Sequence, residues 1–304
     1  MSSKKIGIAL AAFQPTKNFF LNQLQSIQKQ TYPHWICCIQ FDSQWTDLIA
    51  DPDFKTIFAD KRFIWNQNQE RLGLAKNFIR AASHATAQRV DYLAFCDQDD
   101  IWYPNKLQIL IQEMQNLPAM SLLHHNLRVV DADGQVRALL WQLERRKTAH
   151  QSTLDLILRN TVTGSASIMD ANLLEKFSQI PDNFEYHDYW FALMASGQGG
   201  VYALDYVLGD YRQHAHNYIG TNAKQSIERG IKAVVKKNFQ QSLQLNHIAR
   251  KNNLFCSSGK NMFERFDLGL SLFLYGLLHL ISDPVLARAC FTRALGKFLL
   301  RWNC

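Results

Sequence analysis

Three carboxylates fall within four residues at Asp97-Gln98-Asp99-Asp100, where the apolar run Tyr92–Cys96 stops. Carboxylates packed this closely repel one another, and their ionised forms need a counter-charge. Hard oxygen ligands on a loop suit Mg²⁺ or Mn²⁺, which keep several waters and share a diphosphate with the protein. The plainer reading of the same triplet is a helix cap with a favourable dipole interaction, because Pro104 opens a helical segment just downstream.

The elements that must hold this loop are legible upstream of it. Ile6 to Phe13 reads as a buried strand, and Lys17 to Lys29 as a helix with Phe20, Leu24 and Ile27 on one face. Trp35–Phe41 is a second strand, ending at Asp42. A short strand near Phe63–Trp65, a helix from Gly73 to Ala87 and a strand Tyr92–Cys96 follow. Strand–helix alternation predicts right-handed crossovers and a mostly parallel sheet, with ligands beyond the carboxyl ends of the strands. Asp42 and Asp97 both stand at such ends. Beyond residue 118 the spacing predicts a strand Ser121–Val130, helices at Leu154–Arg159, Asn172–Phe177 and Tyr186–Ala195, and a strand Val201–Leu208. His124 and His125 are neighbours on a strand and point to opposite faces, which reads as structural.

Charge divides the chain. Residues 1–223 hold 20 Lys and Arg against 22 Asp and Glu, and residues 224–304 hold 13 against 4. A near-neutral body thus precedes a basic, mostly helical tail, and we set the boundary at 1–222 and 223–304. In 285–302, Leu286, Cys290, Ala294, Phe298 and Trp302 recur every four residues, with Arg293, Lys297 and Arg301 in a row beside them. A solvated helix face is the bland reading. A surface-seeking or partner-docking element is the sharper one. The apolar run Leu268–Ile281 has 14 residues, short of the ~20 of a membrane span. No nucleic-acid-reading motif accompanies the basic tail. The six cysteines form no CxxC pair and read as reduced thiols of a cytosolic protein. The first apolar run reads as a strand rather than a leader.

In order along the chain stand IGIALAAF, LNQLQSIQKQTYPHW, FDSQWTD, RLGLAKNF, CDQDDIWYPNKL, TGSASIM, YHDYWFALMAS and YRQHAHNYIG. As an ordered set, from about Ile6 to Gly220, they resemble the family 2 glycosyltransferases. More narrowly, they are similar to rhamnosyltransferase-like enzymes of bacterial cell-surface polysaccharides. The resemblance implies an α/β GT-A fold, with a Rossmann-like, mixed, mostly parallel sheet flanked by helices. It implies that Ala11, Ala12 and Phe13 hold the nucleotide base and that Asp42 contacts base or ribose. Asp97 and Asp99 match the DxD element that binds Mg²⁺ or Mn²⁺, with Asp100 behind it. Asp188 matches the general base, with Glu185 as fallback, and His214 a residue near the metal and diphosphate. Where the family usually reads DDGSTD, this chain has Phe41-Asp42-Ser43-Gln44, with one carboxylate and no glycine.

The implied reaction is metal-dependent, inverting transfer of a sugar from a nucleotide sugar, dTDP-rhamnose or a UDP-hexose, to a glycan hydroxyl. The expected acceptor carries undecaprenyl diphosphate, so the enzyme is expected in the cytoplasm, peripheral on the inner face of the membrane. A homo-oligomer stays open. Arg212 and His214 suit the diphosphate by charge. Gly73 and Asn77 belong either to the donor site or to a plain helix start. Gly164 and Ser165 form either an acceptor-side loop or an ordinary turn. Trp102 lines the site or fills the core. Two rival readings are a catalytically inactive nucleotide-sugar-binding scaffold and a sugar-nucleotide pyrophosphorylase. The latter opens with a glycine-rich phosphate loop, absent from Ala11-Ala12-Phe13-Gln14-Pro15.

Overall fold

The computed structural model describes residues 3–45, 50–144, 152–181, 184, 186–214, 244–245, 247–252, 254, 287, 290–291 and 294. The chain forms two units. The first comprises Met1–His150 and Val162–Arg212, the second Gln151–Thr161 and Gln213–Cys304.

In the first unit, β1 (Ile6–Ala12) and β2 (Trp35–Phe41) are buried almost throughout. Such continuous apolar runs belong to strands covered on both faces. Between them, α1 (Lys17–Gln28) buries Phe20, Leu24 and Ile27. A helix α2 (Pro52–Phe58), capped by the Asp51 side chain on the Asp53 amide, leads to β3 (Phe63–Gln67). Then α3 (Leu74–Thr86) lays Ala75, Phe78, Ala81, Ala82 and Ala85 inward, and β4 (Tyr92–Cys96) returns beside β1. These four strands run parallel in the order β3-β2-β1-β4. The direction of winding reverses between β1 and β4, which makes their carboxyl ends the switch point where such sheets bind ligands.

The rest of the sheet is mixed. A two-residue β5 (Ile101–Trp102) leads into α4 (Lys106–Met114), and β6 (Ser121–Val130) pairs with β7 (Val136–Leu139). After a short α5 (Leu140–Leu143) comes α6 (Thr153–Leu158), which belongs to the second unit. A 3-10 turn at Gly164–Ala166 opens β8 (Ser167–Asp170), which bridges β4 and β6 antiparallel. Then α7 (Asn172–Phe177), α8 (His187–Ser196) and β9 (Gly200–Arg212) follow. The long β9 lies parallel to β6 and antiparallel to β5.

The expected parallel sheet and its helices are present, with ends shifted by a residue or two. The last strand runs on to Arg212, past the expected Leu208. Of the two histidines on β6, both are buried, His124 against the Trp141 ring and His125 with Nδ1 2.7 Å from the Asn126 carbonyl. Trp102 is buried in the main core, which decides for packing.

In the second unit, Ser152 and Asp155 cap α6 reciprocally, and the Thr153 hydroxyl donates to the Leu254 carbonyl at 3.0 Å. Ala287, Cys290 and Ala294 are helical and buried. The expected basic row Arg293, Lys297 and Arg301 and the apolar run 268–281 lie outside the described residues, as does Glu185. Among the described residues no helix is long and apolar enough to cross a membrane.

Candidate active site

At the end of β2, Asp42 is only 4% exposed. Its Oδ1 accepts from Asn68 Nδ2 at 2.8 Å and the Leu72 amide at 2.7 Å, and its Oδ2 accepts from the Gly73 amide at 2.8 Å. Gly73 reaches this position with φ +82°, a conformation glycine adopts without a Cβ penalty. Asn68 also donates to Asn77 Oδ1 and accepts from Gln40 Nε2, both at 2.8 Å, and Asn77 donates to the Gln40 carbonyl at 3.0 Å. Asp42, Gly73 and Asn77 are thus brought together as one network that fixes the loop before α3. Three donors already fall on the Asp42 carboxylate, leaving little acceptor capacity for a ligand.

Beside this network, Ala11 and Phe13 are half-buried and Ala12 buried at the end of β1. The Gln98 side chain clamps Phe13 twice, accepting its amide at 2.8 Å and donating to its carbonyl at 3.2 Å. The Arg71 guanidinium lies 4.2 Å from the centre of the Phe13 ring. Gln98 therefore ties the expected base-binding strand end to the acidic loop, across the switch point.

In that loop, burial first, then the charges of Asp99 and Asp188, push the Asp97 carboxyl up to about 7. Asp100 is buried with Oδ2 unpartnered, and burial together with Asp97 and Asp99 holds its carboxyl well above the usual range. The buried Ser165 hydroxyl lies near both and draws both pKa values down, yet it closes no hydrogen bond of normal geometry. The loop is braced by Arg212, 5% exposed. Its amide donates to Asp100 Oδ1 at 3.2 Å, its Nε to the Asp99 carbonyl at 3.1 Å and its Nη1 to the Ala132 carbonyl at 3.0 Å. Two residues earlier on β9, Asp210 is gripped by Arg128 at 2.7 and 2.9 Å and by the Tyr103 hydroxyl at 2.7 Å. The guanidinium of Arg212 thus reaches one carbonyl of the acidic loop and one of the turn after β6.

Asp188, in the first turn of α8, completes the group. Its Oδ2 accepts the Gly164 amide at 3.0 Å and its Oδ1 the Tyr189 amide at 2.6 Å. Its neighbour His187 is buried, stacked on Phe78 with ring centres 3.7 Å apart and edge-on to Phe95 at 4.5 Å. Neither ring nitrogen has a hydrogen-bond partner, and burial lowers the imidazole pKa to about 3. The ring is therefore a neutral packing group. His214 is half-buried and belongs to the second unit.

Among the described residues no three His, Cys, Asp or Glu side chains are grouped to enclose a metal. The donor set fits a different kind of site. Mutually repelling carboxylates, Asp97 with Asp99 and Asp188, suit a Mg²⁺ or Mn²⁺ that draws most of its ligands from substrate phosphates and water.

Sequence reading missed Gln98, Arg71, Asn68 and Lys106. Lys106 had a signal: it falls in register with Leu110 and Met114 on the apolar stripe of its helix. It is fully buried, donates from Nζ to the Ser165 carbonyl at 2.6 Å and lies 3.8 Å from the centre of the Trp102 ring. Burial lowers its pKa to about 7, against the pull of Cys96, Asp100 and Asp97.

The sequence pattern of glycosyl transferase family 2 matches residues 12–177. This chain belongs to that family. As a family 2 glycosyltransferase it is 24% identical over 208 residues to WfgD, a UDP-Glc:alpha-D-GlcNAc-diphosphoundecaprenol beta-1,3-glucosyltransferase of Escherichia coli, covering 68% of this chain and 76% of that one. An uncharacterized glycosyltransferase of Methanocaldococcus jannaschii is 20% identical over 230 residues, covering 75% and 77%. The crystal structure of S. aureus TarS residues 1–349 with UDP-GlcNAc shares the fold, with TM-score 0.56 at 15% identity over 98% of this chain and 92% of that one. The GT-A expectation for the mixed sheet is met.

Proposed function

We propose that this glycosyltransferase moves a hexose from a UDP-sugar to a hydroxyl of a lipid-linked glycan, with inversion at the anomeric carbon. The observation that carries the reading is the gathering of Asp97, Asp99 and Asp188 at the switch point of the sheet. Asp97 and Asp99 would hold a Mg²⁺ or Mn²⁺, whose charge offsets the negative charge growing on the departing nucleoside diphosphate. Asp188 takes the proton of the acceptor hydroxyl. The hydroxyl oxygen bonds to the anomeric carbon as the bond from that carbon to the diphosphate oxygen breaks, and its electron pair leaves with the diphosphate. A single displacement without a covalent intermediate inverts the centre.

Hydrogen bonds from the Gly164 and Tyr189 amides orient the Asp188 carboxylate for this proton. Phe13, with Arg71 against its ring, offers a face for the base, and the Asp42–Asn68–Asn77 network holds the loop beside it. The UDP-sugars named for WfgD and TarS favour a UDP-hexose over dTDP-rhamnose. The lipid diphosphate named for WfgD's acceptor agrees with a basic tail, 223–304, that docks on an anionic membrane surface beside a catalytic domain, 1–222.

A thermal-shift screen of UDP-glucose, UDP-GlcNAc and dTDP-rhamnose, with and without Mn²⁺, tests the donor, because a ligand that binds only the folded state raises its stability. The expected result is a Mn²⁺-dependent shift with a UDP-sugar, followed by transfer to a diphospholipid-linked sugar with an inverted linkage. Stabilisation without turnover on any acceptor would leave a nucleotide-sugar-binding scaffold in its place.

A further inference from the structure

We infer that Lys106 is a positioning residue for the proposed transfer, a buried strut that holds the Gly164–Ala166 turn, and with it Asp188, in place against the acidic loop. The inference rests on the transferase reading given above. Its parts are geometric. Lys106 opens α4, six residues after Asp100, and is fully buried. A desolvated ammonium is costly unless its protons are bonded. The Nζ donates to the Ser165 carbonyl at 2.6 Å and rests on the Trp102 ring at 3.8 Å.

The turn that receives it is held from two further sides. The Gly164 amide donates to Asp188 Oδ2 at 3.0 Å. A Cβ on Gly164 would stand 2.8 Å from His187 Nε2, and that ring is wedged against Phe78 and Phe95. The turn therefore has no slack: the lysine fixes its carbonyl side, the catalytic carboxylate its amide side, and the imidazole its Cα. A helix beginning at the acidic loop thus sets the position of the base on a different helix. Replacing a buried charge by an apolar group of similar length is often neutral for stability, so function and folding can be separated here.

The test uses the full chain with Lys106→Met. Hydrogen exchange at the Gly164 and Ala166 amides reads the strut directly. The inference expects exchange there to quicken at least about tenfold while amides of β1 are unchanged. It also expects kcat to fall about 10–100-fold, the scale of a misplaced catalytic group, with KM for the donor and calorimetric affinity for UDP with Mn²⁺ changed less than about threefold. Unaltered exchange at Gly164, or a donor affinity that falls in step with kcat, overturns it. A wild-type protein that transfers no sugar, alongside a Lys106→Met variant with a loosened turn, refutes the transferase reading and leaves the strut standing. Should the methionine variant not fold, Lys106→Gln, a neutral donor one atom shorter, carries the same measurements.

Discussion

The carboxylate of Asp188 and the amide of Gly164 meet at 3.0 Å, joining the first turn of one helix to a turn that shares its next residue with Lys106 and the acidic loop. Asp188→Asn keeps an oxygen for the Gly164 amide but sets an NH₂ group against the Tyr189 amide. The expected cost is about one hydrogen bond, about 1 kcal/mol, or a few degrees in Tm for a chain of this size. Turnover should fall about 10²–10⁴-fold. Parallel melting curves and sugar-transfer assays check both, and full activity in the variant would remove Asp188 from its role.

Asp99→Asn should behave differently. Asp99 is half-buried, so the fold should survive. The expected loss is in Mn²⁺-dependent UDP binding and in turnover, about 10²–10³-fold for a group that stabilises leaving-group charge. Calorimetry of UDP with and without Mn²⁺ measures it. Metal-enhanced binding that persists unchanged would deny Asp99 the metal.

Asp42→Asn tests the loop network. The asparagine retains one acceptor oxygen and turns an NH₂ toward donors it cannot satisfy, at a site 4% exposed. A buried donor left unpaired costs about 1–3 kcal/mol. Urea midpoints should drop accordingly, and KM for the donor should rise because Phe13 and Arg71 border the same loop. An unchanged midpoint would mean the network rearranges freely.

His187 makes acid sensitivity specific. Its folded pKa is depressed by burial to about 3, from an ordinary 6.5. Between those values the unfolded chain binds a proton that the folded protein refuses. The stability tied to a neutral imidazole is therefore fully present above pH 6.5 and is lost as pH falls toward 3, at up to about 1.4 kcal/mol per unit. His187→Phe, stacked between the same two rings, should flatten the dependence of the urea midpoint over pH 6.5 to 4 relative to wild type. Parallel curves for the two proteins would show that the histidine does not govern this limb.

Much of the frame was legible because period and spacing are local properties. The apolar runs at Ile6, Trp35 and Tyr92 announced buried parallel strands, and the stop at Asp97 announced a carboxyl end at a ligand-binding edge. The short β5, β8, α2 and Gly164 turn carry too few residues to show a period: pairing with β9, β4 and β6 stabilises the two strands, stacking of Phe54 on Phe20 holds α2, and Asp188 and Lys106 hold the turn.

The chain's own order of residues determined the fold class, the family and the carboxylates available for chemistry, since each is written in local pattern and motif. Only the tertiary structure decided what those groups face. It turned Asp42 toward its own loop and Arg212 toward carbonyls, and it hid a lysine beneath the acidic loop. The physical reason is that a polar side chain's partner is chosen by burial: once water is excluded, every donor and acceptor must find the nearest complement, and that neighbour lies 26 to 113 residues away in sequence.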